Sequence, residues 1–216
     1  MSKFNITETH DLFKSRNILL EILEDRGFDV SNYNNPSFQE FNSMLTNDQL
    51  DIFVQKPPQN QKDEPAKIYV KYILSGKINV KMIWSIAEEL FDQDEILNRE
   101  KDELIVVSMS NVNSSNIKLI EDVYNSGDIF MNILHYRETL FNKLKHELVP
   151  KHIVISDKQE IDAIKKKYNI VRDDQFPDIS RHEPIARLIG LRPGNLCKIE
   201  RYSVSAGKID YYRMCS

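Results

Sequence analysis

A short polar segment, residues 113–118, carries side chains that could hold a phosphate group. Its sequence is Asn-Ser-Ser-Asn-Ile-Lys, and it stands directly before apolar residues at helical spacing. The start of a helix offers free amide N–H groups, to which Ser114, Ser115 and Lys118 would add hydroxyls and a cation. A phosphate of a nucleic-acid backbone is a suitable ligand for such a set. The same residues also suit an ordinary helix cap, because Asn113 and the serines can satisfy the amides themselves. At the level of the residues both interpretations stay open.

The combinations that would support independent catalysis are missing from the sequence. A nuclease built on a mixed sheet would place a lysine two residues after an acid, so that both side chains reach one phosphate. No lysine here has Asp or Glu two positions before it. Gly27, Gly76 and Gly127 stand alone, so no glycine-rich phosphate loop is formed, and no Gly-x-Ser-x-Gly elbow occurs. The two cysteines and five histidines show no zinc-binding spacing. We therefore predict no catalytic residues, metal, cofactor or small-molecule substrate.

The last third of the chain has the clearest helix and turn signals. Pro184 suits the first turn of a helix, and Gly190 suits the left-handed residue that ends one. Pro193 and Gly194 occupy the two central positions of a type II turn. A β-hairpin is predicted next, with strands at residues 196–201 and 209–214 and a glycine-containing turn at residues 205–208.

An ordered series of short motifs runs through the same region. They are Leu-Val-Pro-Lys-His at residues 148–152, Glu-Pro-Ile-Ala-Arg at 183–187, Gly-Leu-Arg-Pro-Gly at 190–194 and Arg-Tyr-Ser-Val-Ser-Ala-Gly at 201–207. This series resembles the C-terminal domain of the fifth subunit shared by eukaryotic nuclear RNA polymerases, a family that also has an archaeal counterpart. The sequence departs from the family pattern with Glu183 for Asp, Arg192-Pro193 for Lys-Arg, Ser205 for Thr and Met214 for Ile. Ordered matches over about 70 residues are more specific than any single motif.

A weaker resemblance extends upstream, into the domain that only eukaryotic and viral members have. Arg16 and the Asp-Arg-Gly-Phe sequence at residues 25–28 resemble the family's first helix and its end. Val80-Lys81 resembles a Gly-Val-Lys motif. Residues 111–118 resemble Asn-Ile-Thr-Pro-Ser-Ala-Met-Lys, with Asn113, Ser114 and Asn116 in place of Thr, Pro and Ala. The resemblance thus covers nearly the whole chain.

The resemblance implies a non-catalytic subunit of a multisubunit DNA-directed RNA polymerase, active in transcription, with the polymerase activity on other chains. The C-terminal domain would anchor it to the largest subunit, and the N-terminal domain would form part of a jaw around downstream duplex DNA. The DNA-binding residues would be Asn113, Ser114, Ser115 and Lys118. The subunit interface would include Arg192, Arg201, Tyr202, Tyr211 and Arg213. The expected location is the nucleus for a cellular protein, or the virion or a cytoplasmic viral factory for a viral one. A free adaptor protein that binds transcription factors is the alternative function.

Composition and charge agree with a folded protein of this kind. The 216 residues are 41% hydrophobic, enough for one large or two modest cores. No apolar run approaches the roughly 20 residues of a membrane helix, so a soluble protein is predicted. The net charge is −4, but residues from Lys145 onward carry 14 Lys and Arg against 10 Asp and Glu. The N-terminal part is therefore acidic, and any DNA contact there must be local.

Helical and strand patterns alternate along the N-terminal part. The sequence predicts helices that contain Leu12 to Leu23, a Ser-x-x-Glu capping box at Ser37, and a core-facing stripe around Trp84. Strands are predicted at residues 50–55, 68–74, 103–109 and 129–134. A further capping box is predicted at Ser156, with a helix whose inward face includes Tyr168. The predicted fold class is α/β (α+β): a mixed-sheet jaw domain at residues 1–145, then a small domain of helix and β-hairpin for assembly at residues 146–216.

Overall fold

The chain forms two compact units, Met1–Asn142 and Lys143–Ser216. A computed structural model describes residues 5–33, 36–57, 65–74, 76–203 and 207–216. Both units combine helices with a β-sheet, which confirms the predicted α/β fold class. The boundary between residues 145 and 146 stays a prediction of where the chain separates into independently folding domains.

The first unit is built on a four-stranded mixed sheet. Its strands are β1 (Ile52–Gln55), β2 (Lys67–Ile73), β3 (Glu103–Ser108) and β4 (Met131–His135), and its helices are α1 (Ile6–Asp25), α2 (Phe38–Thr46), α3 (Val80–Glu88) and α4 (Ser114–Gly127). The spatial strand order is β1-β2-β3-β4, with β1 antiparallel to β2 and the other pairs parallel. Each parallel pair is joined by a helical crossover, α3 or α4, because parallel strands cannot be joined by a tight turn.

Helices α3 and α4 share one apolar core with the sheet. Its buried side chains include Ile83 and Ala87 of α3, Leu119 and Val123 of α4, Leu104 and Val106 of β3, and Met131 and Ile133 of β4. Trp84 is partly buried against this core, which confirms its predicted role. The stripe is not buried throughout: Val80, the first residue of α3, is 54% exposed.

An ion pair connects the C-terminal end of α1 to the sheet. Gly27 has φ +86°, and the amide of Phe28 donates to the carbonyl of Leu23, so the helix ends where the Gly-Phe pair predicts. The preceding Arg26 forms an ion pair with Glu103 of β3, whose residue exposure is only 3%. The side-chain amide of Asn132 on β4 donates to the same carboxylate at 2.8 Å. One carboxylate therefore links α1, β3 and β4.

The second unit is built on another four-stranded sheet. Its elements in chain order are β5 (Lys151–Ile155), α5 (Lys158–Lys167), β6 (Asp178–Ile179), α6 (Pro184–Ile189), β7 (Leu196–Ser203) and β8 (Gly207–Cys215). The spatial order is β5-β7-β8-β6, with only the β6–β8 pair parallel. The predicted hairpin is present as β7 and β8, but strands β5 and β6 flank it and were not predicted.

The structure confirms some of the helix ends and turns predicted for the second unit. Pro184 is in the first turn of α6 and Gly190 ends it with φ +67°, as predicted. Gly194 has φ +82°, and the amide of Asn195 donates to the carbonyl of Arg192 at 3.1 Å, which confirms the turn. Residues 205 and 206 of the predicted turn at 205–208 lie outside the described part of the chain, and residues 207 and 208 already belong to β8.

Two predictions about α5 are wrong. The cap is Asp157, whose carboxylate accepts from the amide of Gln159 at 3.2 Å, so the helix begins one residue later than a Ser156 cap would require. Tyr168 follows the last helical residue and is 47% exposed, because it lies beyond the turn that buries Ile161 and Ile164. Its ring instead lies 5.7 Å from the ring of Tyr212.

The Glu103 carboxylate is expected to be a main determinant of stability in the first unit. Replacing Glu103 by Ala should lower the free energy of unfolding by about 3 kcal/mol, because Arg26 loses its partner in a largely buried site. Unfolding in urea can be followed by the fluorescence of Trp84, the chain's single tryptophan. The matched control is Glu88→Ala, which removes an exposed carboxylate from α3 and should change stability by less than about 0.5 kcal/mol. Equal effects of the two substitutions would contradict this account.

Candidate functional site

The pairing of β7 with β8 divides the hairpin's side chains between two faces. In the register, Cys197, Ile199 and Arg201 lie opposite Arg213, Tyr211 and Ile209. Because successive residues of a strand point to opposite faces, these six share one face, which we call the groove face. Leu196, Lys198 and Glu200, with their partners Met214, Tyr212 and Asp210, share the other face, which we call the α5 face.

The apolar and charged side chains of the α5 face find their partners within the second unit. At one end, Leu196 and Met214 form a core with Ile155, Ile161, Ile164 and Phe176. At the other end its charges pair with each other: Lys198 Nζ lies 3.0 Å from Asp210 Oδ2, and Lys208 Nζ lies 2.9 Å from Glu200 Oε2. The hydrogen bond from Lys208 lowers the pKa of Glu200, and the bond to Asp210 raises the pKa of Lys198. This face therefore presents compensated charge to solvent.

The groove face is covered over only part of its length. Ala186 and Leu191, within and just after α6, pack with Cys197, Ile199 and Cys215. Beyond them the sheet opens into a groove of about 610 Å³. It is lined by Glu147, Leu148, Val149, Pro150, His152, Ile179, Glu183, Ile185, Ile199, Glu200, Arg201, Tyr202, Tyr211 and Arg213.

The rim of the groove combines exposed apolar surface with arginine and tyrosine. Leu148 is 84% exposed and Tyr202 is 88% exposed. The guanidinium of Arg213 lies 5.9 Å from the ring centroid of Tyr211, and its Nη1 donates to the carbonyl of Asp178 at 2.9 Å. Tyrosine and arginine side chains with defined positions are enriched among the residues that dominate binding energy at interfaces. The groove thus has the chemical composition of a protein-binding surface.

His152 lies in the groove wall as a neutral imidazole. Its Nδ1 is 2.6 Å from the carbonyl of Pro150, so Nδ1 carries the proton and donates to that carbonyl. Burial lowers the pKa of His152, the Pro150 hydrogen bond and Glu183 oppose that shift, and the nearby charge of Arg213 adds to it. The groove therefore has an uncharged histidine at neutral pH.

The two cysteines belong to the covered part of the groove face. Both Cys197 and Cys215 are buried and unpaired as thiols. Burial raises the pKa of each to about 11, so neither ionises at neutral pH. Because the thiolate is the reactive form, these residues are packing groups.

The structure brings together most of the predicted interface residues. Arg201, Tyr211 and Arg213 line the groove from the groove face, and Tyr202, which pairs with Lys208 on the opposite face, contributes to its rim. Arg192 does not: it lies in the turn before β7, and Arg201 lies near the opposite end of that strand. The sequence-based prediction missed Leu148 and His152, although both belong to the Leu-Val-Pro-Lys-His motif that drew attention to this region.

The polar segment 113–118 forms the start of α4. Asn113 is the cap, with its side-chain oxygen accepting from the amide of Asn116 at 3.2 Å, so the helix-cap interpretation is confirmed. Ser114, Ser115 and Lys118 are exposed. Asn79 caps α3 in the same way, accepting from the amide of Lys81 at 3.3 Å. Because α3 and α4 follow parallel strands, both helices begin at the same edge of the sheet.

Two other classes of site have no counterpart in the described part of the chain. Within the described ranges, no group of three or more His, Cys, Asp or Glu side chains is arranged to hold a metal ion. The helices of those ranges include none that is long and apolar enough to cross a membrane.

Comparison with known proteins finds similarity to subunits of RNA polymerases. Residues 141–215 match the family described as RNA polymerase Rpb5, C-terminal domain. "DNA-directed RNA polymerases I, II, and III subunit rpabc1" of Dictyostelium discoideum is 27% identical over 94% of this chain and 96% of its own length. "DNA-directed RNA polymerases IV and V subunit 5B" of Arabidopsis thaliana is 28% identical over 89% of this chain and 84% of its own. The second unit thus matches the C-terminal domain of the Rpb5 family, as the motif series predicted, and most of the chain is similar to subunits of RNA polymerases.

His152 provides a test of the groove geometry. Its pKa should lie below the ordinary value of 6.5 in the folded chain, because burial disfavours the charged ring. The unfolded chain then binds the proton first as pH falls, so the second unit should lose stability as pH drops through about 6.5. NMR titration of the ring gives the pKa, and urea unfolding followed by the unit's amide signals gives the stability.

Two variants make the pH test specific. His152→Gln keeps a side-chain donor and should reduce the loss of stability at low pH, whereas His10→Gln, on α1 of the other unit, should leave it unchanged. A ring that titrates at or above the ordinary pKa would show that His152 is not buried as described.

Proposed function

We propose that this chain is a non-catalytic subunit of a multisubunit DNA-directed RNA polymerase and acts in transcription in the nucleus. The observation that carries the proposal is the ordered family match over residues 141–215, in the unit that contains the groove. Relatives named as polymerase subunits align with 89–94% of the chain, which supports the same role for both units. Nucleotide addition then belongs to other chains of the assembly.

The groove is the surface proposed to anchor the chain to the largest subunit. Its floor and rim offer apolar area from Leu148, Ile199 and Tyr211, which gains free energy when a partner removes it from water. Its charges are of both signs, with Glu147 and Glu183 against Arg201 and Arg213. A partner segment with apolar side chains and complementary charges fits this pattern. Arg192, outside the groove, is proposed as a contact at the other end of β7.

The start of α4 is the proposed contact with downstream duplex DNA. Asn113 is occupied as the cap, but Ser114, Ser115 and Lys118 remain exposed beside the amide groups of the first turn. These groups suit a phosphate, and a phosphate contact carries no base specificity. Because the N-terminal part of the sequence is acidic, the isolated chain should bind DNA weakly at physiological salt. The contact is therefore proposed to form only inside the assembly, where the unit serves as part of a jaw.

The groove assignment predicts a face-specific loss of assembly. The double variant Arg201→Ala and Arg213→Ala should reduce incorporation into polymerase at least tenfold, on the order of the roughly 2 kcal/mol that a binding hot spot contributes. The matched control, Lys158→Ala with Lys166→Ala, removes the same charge from exposed positions on α5, outside the groove, and should incorporate normally. Incorporation is measured by competition between tagged variant and wild-type chains.

The control separates two explanations of a defect. Equal loss in both double variants would indicate a net-charge effect and would falsify the groove assignment, as would normal incorporation of the arginine variant. A chain that is absent from polymerase in its wild-type form, but recovered with transcription factors, would favour the adaptor function instead.

The DNA assignment predicts a contact that depends on assembly. A photocrosslinking residue at Ser115 should label downstream duplex DNA in the transcribing complex and not in the free chain. A crosslinker at Ser43, an exposed serine on α2, serves as the matched control and should give no label. Ser114→Ala with Lys118→Ala should weaken retention of downstream DNA by about 1 kcal/mol or less, because solvent screens the contact. Labelling from Ser43 as strong as from Ser115, or labelling of the free chain, would contradict the assignment.

A further inference from the structure

A buried guanidinium in the first unit has no acceptor among the described residues. Arg16 of α1 is 1% exposed, and none of its three nitrogens, Nε, Nη1 and Nη2, has a hydrogen-bond partner there. The hydroxyl of Tyr72 on β2 is inaccessible to solvent and also has no partner in the described part of the chain. Burying such polar groups without partners costs free energy, most of all for a charged group.

The charge of Arg16 also lacks compensation. Burial lowers the pKa of Arg16, and the groups that oppose this shift are the phenols of Tyr72 and Tyr33. The Tyr33 ring lies 5.7 Å from the guanidinium carbon, so it offers a cation–π contact but no negative charge. An arginine remains protonated under these conditions, since it cannot lose its proton in a protein. The site therefore holds a full positive charge.

Asp51, the acid that acts on Tyr72, already has hydrogen-bond partners of its own. Asp51 raises the pKa of Tyr72, which places it close to the phenol. Its Oδ2 already accepts from Lys71 Nζ at 2.6 Å and from the Tyr69 hydroxyl at 3.2 Å, and its Oδ1 accepts from the amide of Tyr72 at 3.0 Å. The charge of Asp51 thus compensates the charge of Lys71. The Arg16 guanidinium and the Tyr72 hydroxyl are left without an anionic acceptor among the described residues.

We propose that the first unit binds one chloride ion between the guanidinium of Arg16 and the hydroxyl of Tyr72. The guanidinium can only donate, so its ligand must be an acceptor, and the Tyr72 hydroxyl can donate to the same ligand. The uncompensated charge favours an anion over a neutral water molecule. The burial of Arg16 limits the ligand to a small ion. A halide accepts hydrogen bonds from several directions, which suits a guanidinium and a phenol on different elements. The ion would tie α1 to β2 inside the core.

The test is the chloride dependence of unfolding. Urea unfolding of the full chain is followed by the emission maximum of Trp84, which reports on the first unit alone, while sodium gluconate replaces sodium chloride at constant ionic strength. Above its dissociation constant, one bound ion should lower the unfolding equilibrium constant by up to about tenfold for each tenfold rise in chloride. Bromide, which substitutes for chloride, should give an anomalous diffraction peak beside the Arg16 guanidinium.

Three variants locate the effect. Arg16→Met keeps the length of the side chain without its charge and should abolish the chloride dependence. Tyr72→Phe removes one donor and should shift the dependence to higher chloride; it keeps the test valid if the Arg16 variant does not fold. The matched control Arg99→Met removes a cation that already pairs with Asp92 at 2.5 Å, and it should keep the wild-type response. Identical wild-type unfolding in chloride and gluconate, or a chloride response that persists in Arg16→Met, would overturn the proposal.

Discussion

The antiparallel pairing of β7 with β8 is the constraint on which the proposed assembly surface depends. Register sends alternate side chains to opposite faces, so a shift of β8 by one residue would move Tyr211 and Arg213 from the groove face to the α5 face, away from Arg201. Two features hold this register. Leu196 and Met214 are buried beneath α5, and the ion pairs Lys198–Asp210 and Lys208–Glu200 connect the same two strands further along. These groups satisfy one another, and the opposite face is the one that we propose to bind a partner.

In the first unit, the sheet holds the N-terminal ends of two helices at one edge. Parallel pairing of β2, β3 and β4 places the beginnings of α3 and α4 at the same edge, and the shared apolar core keeps both helices on one face. On the other side of the sheet, the Glu103 carboxylate joins α1 to β3 and β4. Arg16 belongs to this same helix, and a chloride ion there would add a second polar connection between α1 and the sheet. Exposed side chains such as Lys118 would then project from a rigid body.

Much of this could be predicted from sequence because the signals are local. Pro184 and Gly190 fix the ends of α6 through backbone geometry, and the Ser37 box satisfies the amides of α2 within four residues. The features that were missed depend on distant residues. Strand β5 has only a short Ile-Val-Ile run of strand-forming residues and pairs with β7, and β6 contributes only two residues beside β8. The lining of the groove could not be predicted either. Leu148 and His152 are far from Arg201 and Tyr211 in sequence, and the fold of the second unit brings them together. Ser156 is not the cap of α5, because the carboxylate of the neighbouring Asp157 accepts from a first-turn amide instead.

The match of residues 141–215 to the Rpb5 C-terminal domain and the groove together lead us to propose that this chain works as a stoichiometric part of an RNA polymerase. The most direct measurement is native purification of the tagged full-length chain from the cells that express it, with quantitative mass spectrometry of the recovered proteins. We expect the two largest polymerase subunits in a ratio of about one to one with the tagged chain, and loss of both when Arg201 and Arg213 are replaced. Recovery of the wild-type chain without those two subunits would contradict the proposal.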